Sequence, residues 1–193
     1  MRVVINTTFL ASPRFGGSWT YTYNLLRALD AFSSEVEFIV LTNSRIVSQL
    51  RDLRMELKVV VDNPDVRASR VAWEQFVLPR LVRKYKPAVF HSTGNTLPPI
   101  AGCPSVVTLH DFQYHFYPEN FSAIKRMYLR NMVPRSLRRA TAIICYSEST
   151  KRHAMDLYGI TSEKLALIHL AGLWRGELST ATPAQTLRKK FGL

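Results

Sequence analysis

A histidine and an aspartate directly follow a short apolar segment near the middle of the sequence. Residues Ser105–Leu109 are mostly β-branched or apolar, as in a buried strand, and His110 and Asp111 come next. Ligands of parallel α/β sheets bind beyond the carboxyl ends of the strands. A strand-end histidine can also simply bond a neighbouring carboxylate or a backbone carbonyl. The loop that follows is rich in aromatic residues and favours the ligand-binding interpretation.

Polar or glycine-containing segments also follow three other predicted strands. The carboxyl ends of parallel strands open on one edge of a sheet, so we expect these segments to share a cleft with His110 and Asp111. We predict His110 as the candidate catalytic group of this edge, and Asp111 beside it as the second predicted catalytic residue. The predicted binding residues are Gly16, Gly17, His91, Asn95, Ser147, Glu148, Ser149 and Lys151.

Two of these segments have structural explanations that are equally open. Gly16 and Gly17 precede a predicted helix, where backbone N–H groups can approach a phosphate or a sugar, but a tight turn explains a glycine pair as well. The full GxGxxG spacing of dinucleotide sites is missing. The serines after residue 146 can cap a helix or hold a phosphate. Lys151 would be unfavourable for the helix dipole but useful beside an anion.

Strand-like and helix-like patterns alternate along the whole sequence. This alternation predicts an α/β fold with a doubly wound, Rossmann-like, mostly parallel sheet of about seven strands and helices on both faces. The predicted strands are residues 2–6, 36–41, 57–61, 88–91, 105–109, 141–146 and 164–170. The predicted helices are residues 18–31, 43–54, 66–85 with a break at Pro79, 122–138 with a break at Pro134, and 148–158. A linker at 171–181 and a short helix at 183–191 follow.

The composition indicates a strongly basic globular protein. The 193 residues include 26 Lys and Arg against 14 Asp and Glu, a net charge of +12, and 47% are hydrophobic. This length suits one domain, and the hydrophobic content excludes a disordered chain. The excess of positive charge favours anionic partners. Basic residues concentrate in the predicted helices at 66–85 and 122–138, which is ordinary for solvated faces and also suits an anionic membrane surface.

The sequence lacks the motifs of several kinds of active site, and it lacks the features of secreted and membrane-spanning proteins. No zinc-binding spacing, Walker A loop or GxSxG segment is present, so we expect no metal site. Cys103 and Cys145 lie in or beside apolar segments, which predicts buried thiols in a reducing compartment. The N-terminus does not read as a signal peptide, and no apolar segment approaches the roughly 20 residues that span a bilayer. We therefore expect a cytoplasmic protein.

Five segments in a fixed order resemble the N-terminal half of a family 4 glycosyltransferase with the GT-B architecture. They are GGSWTYTYNLLRAL, WEQFVLPRL, TLHDF, PRSLRRATAIICYSESTKR and YGITSEKLALIHLAG, and together they cover nearly the whole chain. The resemblance implies a retaining hexosyltransferase with two Rossmann-like domains. Its co-substrate would be a nucleotide-diphosphate sugar, with no metal or other cofactor. Its acceptor would be a glycan or a lipid-linked molecule of polysaccharide or lipopolysaccharide biosynthesis, and its specificity mannosyltransferase-like.

The resemblance also implies roles for individual residues and a domain boundary. His110 would contact the transferred sugar and stabilise the transition state, with Asp111 beside it. Gly16 and Gly17 would lie near the donor phosphates or the acceptor, and the segment from Ser147 to Lys151 would line the cleft. Residues 1–172 would form the acceptor-side domain, and residues 173–193 the linker to a C-terminal donor domain. The family's glutamate pair belongs to that domain, so we expect these 193 residues to transfer no sugar by themselves.

Two other functions remain open at this point. The basic character alone is compatible with nucleic-acid binding, but no recognition-helix, RRM or KH signature accompanies it, so we expect no nucleic-acid partner. A stand-alone, non-catalytic binding module derived from a transferase is the second alternative. For the transferase half and for the module derived from a transferase alike, the basic helices would suit peripheral docking on the inner face of an anionic membrane.

Overall fold

A seven-stranded parallel sheet forms the centre of the protein. The computed structural model describes residues 1–10, 16–61, 67–100, 102–170, 186, 188, 189 and 192. Its strands are β1 (Arg2–Asn6), β2 (Glu37–Asn43), β3 (Glu56–Val61), β4 (Val89–Ser92), β5 (Ser105–Leu109), β6 (Ala142–Cys145) and β7 (Leu165–Leu167). Neighbouring strands are parallel throughout, in the order β3-β2-β1-β4-β5-β6-β7. The predicted doubly wound, Rossmann-like sheet is confirmed.

Helices cover both faces of the sheet because successive strand residues point to opposite sides. On one side, Leu26 of the first helix packs in a cluster with Ile5. On the other side, Leu137 of the fifth helix and Ala154 of the sixth helix pack with Val4. The α-helices are α1 (Gly17–Asp30), α2 (Arg67–Phe76), α3 (Leu78–Tyr85), α4 (Gln113–Phe116), α5 (Ala123–Arg139) and α6 (Glu148–Tyr158). Short 3-10 helices span Val47–Leu50, Pro118–Asn120 and Ser162–Lys164.

The predicted helix at residues 43–54 is wrong. Only Val47–Leu50 is helical, as a single 3-10 turn. Asn43, the first residue of the predicted helix, donates its Nδ2 hydrogens to the carbonyls of Thr8 and Leu10 at 3.2 and 2.8 Å. These bonds tie β2 to the chain after β1 and use the side chain that would have started a helix.

The two prolines expected to interrupt helices behave differently. Pro79 lies in the first turn of α3, where its missing N–H is not needed, and α2 ends just before this helix begins. Pro134, in contrast, lies inside the continuous α5, so the predicted break there is wrong. Pro134 and its neighbour Val133 are buried on the face of α5 that packs on the sheet. That packing offsets the lost helical hydrogen bond.

The last predicted strand is shorter than expected, and most of the chain after it lies outside the described residues. β7 covers three residues instead of the seven that were predicted at 164–170. The predicted linker at 171–181 and most of the predicted helix at 183–191 lie outside the described residues, so the domain boundary stays a prediction. Both cysteines are free, Cys145 buried and Cys103 half-buried. In the described part of the chain, no helix has the length and apolar character needed to span a membrane.

Candidate functional site

The register of β5 and β6 places two side chains next to each other at the carboxyl edge of the sheet. Leu109 pairs with Cys145 in the parallel ladder, so His110 and Tyr146 are the next residues on adjacent strands. The phenolic oxygen of Tyr146 is hydrogen-bonded to Nδ1 of His110. The predicted strand at 141–146 included Tyr146, which is why it was missed as a site residue. Its position after the strand adjacent to β5 is the signal that could have revealed it.

The remaining hydrogen bonds of His110 define its tautomer. Its Nε2 atom lies 2.7 Å from the carbonyl oxygen of Thr93, which only accepts, so Nε2–H is the donor. Nδ1 is therefore the acceptor of the Tyr146 hydroxyl. Burial lowers the pKa of His110, against the opposing effects of the Thr93 bond and the charge of Asp111. The imidazole is therefore neutral near pH 7. The backbone N–H of His110 donates to Oδ1 of Asn95 at 2.7 Å.

A third ring, that of Tyr21 on α1, packs against both His110 and Tyr146. The centroid of the Tyr21 ring lies 5.5 Å from that of His110, in an edge-to-face arrangement, and 5.2 Å from that of Tyr146. The Tyr21 hydroxyl is hydrogen-bonded to Oγ1 of Thr108 at 3.0 Å, and the same oxygen lies 2.9 Å from Nε2 of His91. Burial raises the pKa of Tyr21 and of Tyr146, so both phenols stay protonated. This network joins α1 to β4, β5 and β6.

A large cavity, called the cleft below, opens at this edge of the sheet. It has a volume of about 1700 Å³, larger than the roughly 300–1,000 Å³ of most small-molecule pockets. Five of the predicted site residues line it together with Tyr146: Gly16, Gly17, Asn95, His110 and Asp111. The structure thus brings together residues that follow the first, fourth, fifth and sixth strands.

Gly16 has a backbone conformation that requires glycine, because its φ is 97° at the start of α1. Gly17 is the first residue of the helix, and a Cβ added there would meet no atom within 4 Å. A tight turn therefore explains Gly16, and the open side of Gly17 leaves room for a ligand to approach the backbone.

The other predicted site residues do not line the cleft. His91 is buried in β4, and burial lowers its pKa to about 4. Ser147 caps α6, accepting from the backbone N–H of Thr150 at 3.1 Å and donating to its Oγ1 at 2.9 Å. Of the two interpretations of these serines, the structure shows capping for Ser147. Glu148 and Lys151 follow it in α6, exposed and half-buried respectively.

Ser149 lines a second, smaller cavity of about 530 Å³ beside the cleft. Asp111 lines both cavities, so the two adjoin at the end of β5. Phe116 and His153 also line this second cavity, with their ring centroids 4.5 Å apart. Ser149 therefore lies close to Asp111 but outside the cleft itself.

Sequence reasoning also missed the contribution of α2 and α5 to the cleft. Glu74 of α2 lines it, is only 4% exposed and accepts a hydrogen bond from Oγ1 of Thr8 at 3.4 Å. Phe76, Ile124 and Met127 also line it, and each is more than 60% exposed. No pattern in the sequence indicates that these two helices flank the same cavity, because their approach is a tertiary feature. Among the described residues, no three His, Cys, Asp or Glu side chains form a cluster able to hold a metal ion.

A parallel α/β domain with a large cleft at the carboxyl edge of its sheet is typical of enzymes and binding proteins for small molecules. The chain belongs to glycosyltransferase family 4, since the model of that family matches residues 15–171. The family assignment confirms the resemblance of the sequence motifs and disfavours the alternative of a basic, non-catalytic binding module.

Solved structures with the same fold are glycosyltransferases of GT-B architecture. HepE from Anabaena, in complex with UDP and glucose, is 17% identical with a TM-score of 0.60, and the match covers 100% of this chain and 50% of that one. A Rickettsia africae glycosyltransferase is 12% identical with a TM-score of 0.53, covering 99% and 49%. The lipopolysaccharide outer core galactosyltransferase WaaB is 10% identical with a TM-score of 0.56, covering 89% and 46%.

These identities establish a shared fold and nothing finer. This chain spans about half the length of the structures it matches, as expected for the N-terminal half of the GT-B architecture. A search of curated proteins found no significant match.

Proposed function

We propose that these residues form the acceptor-side half of a retaining hexosyltransferase that uses a nucleotide-diphosphate sugar. The observation that carries the proposal is His110, a neutral imidazole at the edge of a 1700 Å³ cleft, in a chain that belongs to glycosyltransferase family 4. The structurally similar HepE was solved with UDP and glucose, which supports a nucleotide-sugar donor. The acceptor is a glycan or a lipid-linked molecule, and the transferred sugar in our proposal is a hexose such as mannose.

In the proposed reaction, the bond between the anomeric carbon and the diphosphate oxygen breaks, and an acceptor oxygen takes its place. The proton of the acceptor hydroxyl leaves with the nucleotide diphosphate. His110 binds a hydroxyl of the transferred sugar, with Asp111 beside it. Asn95 and Thr93 hold His110 through bonds of 2.7 Å each, so the group needs no reorganisation when charge develops. The backbone at Gly17 approaches the donor phosphates, and no metal or cofactor takes part.

A second domain supplies most of the donor site in this proposal. The matched structures are about twice as long as this chain. Residues 173–193 would link the two halves, and residues 1–193 alone would transfer no sugar at a useful rate. Lys151 and Ser149, near the cleft on α6, would face the donor across the gap between the domains.

The apolar part of the cleft supports an acceptor with a lipid or other apolar portion. Phe76 of α2 and Ile124 and Met127 of α5 are exposed side chains, yet they line the same cavity as His110. Large exposed apolar patches of this kind commonly mark binding surfaces. Lys125 lies among them and also lines the cleft. An acceptor with a sugar, an anionic group and an apolar chain would match, in turn, the region of His110, the charge of Lys125 and the apolar side chains of α2 and α5.

The same helix supports peripheral docking on the inner face of an anionic membrane. Within its described length, α5 carries six basic residues and no acidic one: Lys125, Arg126, Arg130, Arg135, Arg138 and Arg139. Each basic residue near an anionic surface contributes about 1 kcal/mol. Vesicle sedimentation should show stronger binding to phosphatidylglycerol-containing vesicles than to phosphatidylcholine vesicles. Equal binding to both would contradict the proposal.

A matched pair of variants tests whether the apolar side chains of α5 take part in this docking. Replacing both Ile124 and Met127 by Ser should weaken sedimentation with anionic vesicles. Ile168→Ser removes a similarly exposed side chain just after β7, outside the cleft, and should leave sedimentation unchanged. Equal effects of the two changes would mean that α5 is not the docking surface.

The assignment of His110 is tested in a protein that includes the second domain. His110→Ala should lower kcat by about 100-fold or more, the cost of losing one preorganised group that stabilises a transition state. His115→Ala, five residues further along and outside the cleft, should change kcat little. Unfolding experiments on the same variants separate loss of activity from loss of stability. An unchanged kcat in His110→Ala would remove His110 from the active site.

A further inference from the structure

Both ring nitrogens of His110 have partners within the chain itself. Nε2–H donates to the carbonyl oxygen of Thr93, and Nδ1 accepts from the hydroxyl of Tyr146. Burial lowers the pKa of the imidazole and raises that of the phenol, so both groups are neutral near pH 7. A sugar hydroxyl can therefore bond to His110 only by replacing one of these two partners.

The partner on the Nε2 side is fixed by the backbone. The N–H of Thr93 donates to the carbonyl of Asn6 at 3.3 Å, and its Oγ1 donates to the same carbonyl at 3.1 Å. The hydroxyl of Thr22 on α1 adds a bond to that Oγ1 at 3.2 Å. Moving the Thr93 carbonyl would disturb the pairing of β1 with β4, so this partner stays in place.

The partner on the Nδ1 side is a side chain at the surface of the cleft. Tyr146 lines the cleft beside His110 and can change its rotamer without moving a strand. Its ring packs on Tyr21 at a centroid distance of 5.2 Å, and this contact holds the phenol against Nδ1. A sugar hydroxyl donates to an acceptor nitrogen as a phenol does, so the two can exchange one for one.

We propose that Tyr146 is a positioning residue for His110. Its hydroxyl donates to Nδ1 and orients the ring, and a hydroxyl of the bound sugar then replaces it. The replacement step rests on the proposed function, in which His110 contacts the transferred sugar. The hydrogen bond itself does not, and the two parts can be tested separately.

Nitrogen-15 NMR of the imidazole tests the hydrogen bond in the 193-residue chain without a ligand. Wild-type His110 should show the Nε2–H tautomer with an Nδ1 shift typical of a hydrogen-bonded acceptor. Tyr146→Phe should keep the tautomer, because Thr93 remains, but move Nδ1 to the shift of a free acceptor. Tyr21→Phe removes the hydroxyl bonded to Thr108 and should match wild type. An Nδ1–H tautomer in wild type, or an unchanged Nδ1 in Tyr146→Phe, would overturn the role of Tyr146.

Titration of a protein that includes the second domain with UDP-glucose and GDP-mannose, followed at the same Nδ1 signal, tests the replacement. Without a phenol to displace, Tyr146→Phe should bind the sugar nucleotide about two- to twelvefold more tightly, the worth of one net hydrogen bond. Tyr21→Phe should bind like wild type. Weaker binding by Tyr146→Phe would show that the phenol contacts the ligand itself. If calorimetry shows that a probe binds the two-domain protein but the His110 signal shifts in no variant, the replacement step fails while the nucleotide-sugar donor of the proposed function stands. If neither probe binds, the proposed function fails, whatever the ligand-free spectra show.

Discussion

The buried histidine of β4 should make the stability of the fold depend on pH. Burial lowers the pKa of His91 from 6.5 to about 4 in the folded chain, while the unfolded chain keeps the ordinary value. Between these values the unfolded state binds a proton that the folded state does not, so stability falls as the pH is lowered. From pH 7.5 to pH 5, this difference lowers the free energy of unfolding by about 2 kcal/mol.

His91→Gln isolates this contribution. Glutamine does not titrate and can still bond to Oγ1 of Thr108, the partner of His91 at 2.9 Å. Urea unfolding at pH 7.5 and pH 5, followed by circular dichroism, should show a smaller loss of stability at pH 5 in the variant, by about 2 kcal/mol. His169→Gln replaces an exposed histidine after β7 and serves as the matched control. Equal pH dependence in His91→Gln and wild type would refute the reasoning, since it would mean that His91 titrates alike in both states.

Two further substitutions test the packing that supports the cleft, each measured by urea unfolding at pH 7.5. Ser136→Ala should destabilise the fold by about 1–3 kcal/mol, because the backbone N–H of Leu97 donates to the Ser136 hydroxyl at 2.8 Å and would be left buried without that partner. A loss below about 0.5 kcal/mol would mean that this N–H finds another acceptor. Gly159→Ala should cost about 1 kcal/mol, because this residue ends α6 with a φ of 63°. Gly17→Ala, in ordinary helical backbone with open space around the added Cβ, should not destabilise the fold, and similar losses in both glycine variants would contradict the conformational argument.

The sheet could be predicted from the sequence because its strands are short and the central ones are largely buried. Each appears as an apolar segment bounded by turns, and the predicted limits of β5 agree with the structure. The positions of His110, Asp111 and Asn95 followed from the same logic, since residues after parallel strands meet at one edge. The predicted fold therefore indicated the part of the cleft that lies at the carboxyl ends of the strands.

The rest of the site depends on tertiary contacts that have no local pattern. Tyr146 reaches His110 only because Leu109 and Cys145 are paired in register. The burial of His91 follows from strand packing, although its polar neighbours suggested an exposed strand end. Pro134 was expected to break its helix, but the burial of this part of α5 outweighs the local preference. In each case a long-range contact decides the role of a residue that local propensity describes wrongly.

Calorimetric titration of the 193-residue chain tests the central claim most directly. The titrants are GDP-mannose, UDP-glucose, GDP and UDP, at low salt. An acceptor-side half with its donor site mainly on another domain predicts millimolar binding or no measurable heat. Micromolar binding to the chain alone would contradict the account, because the cleft beside His110 would then be a complete nucleotide-sugar site.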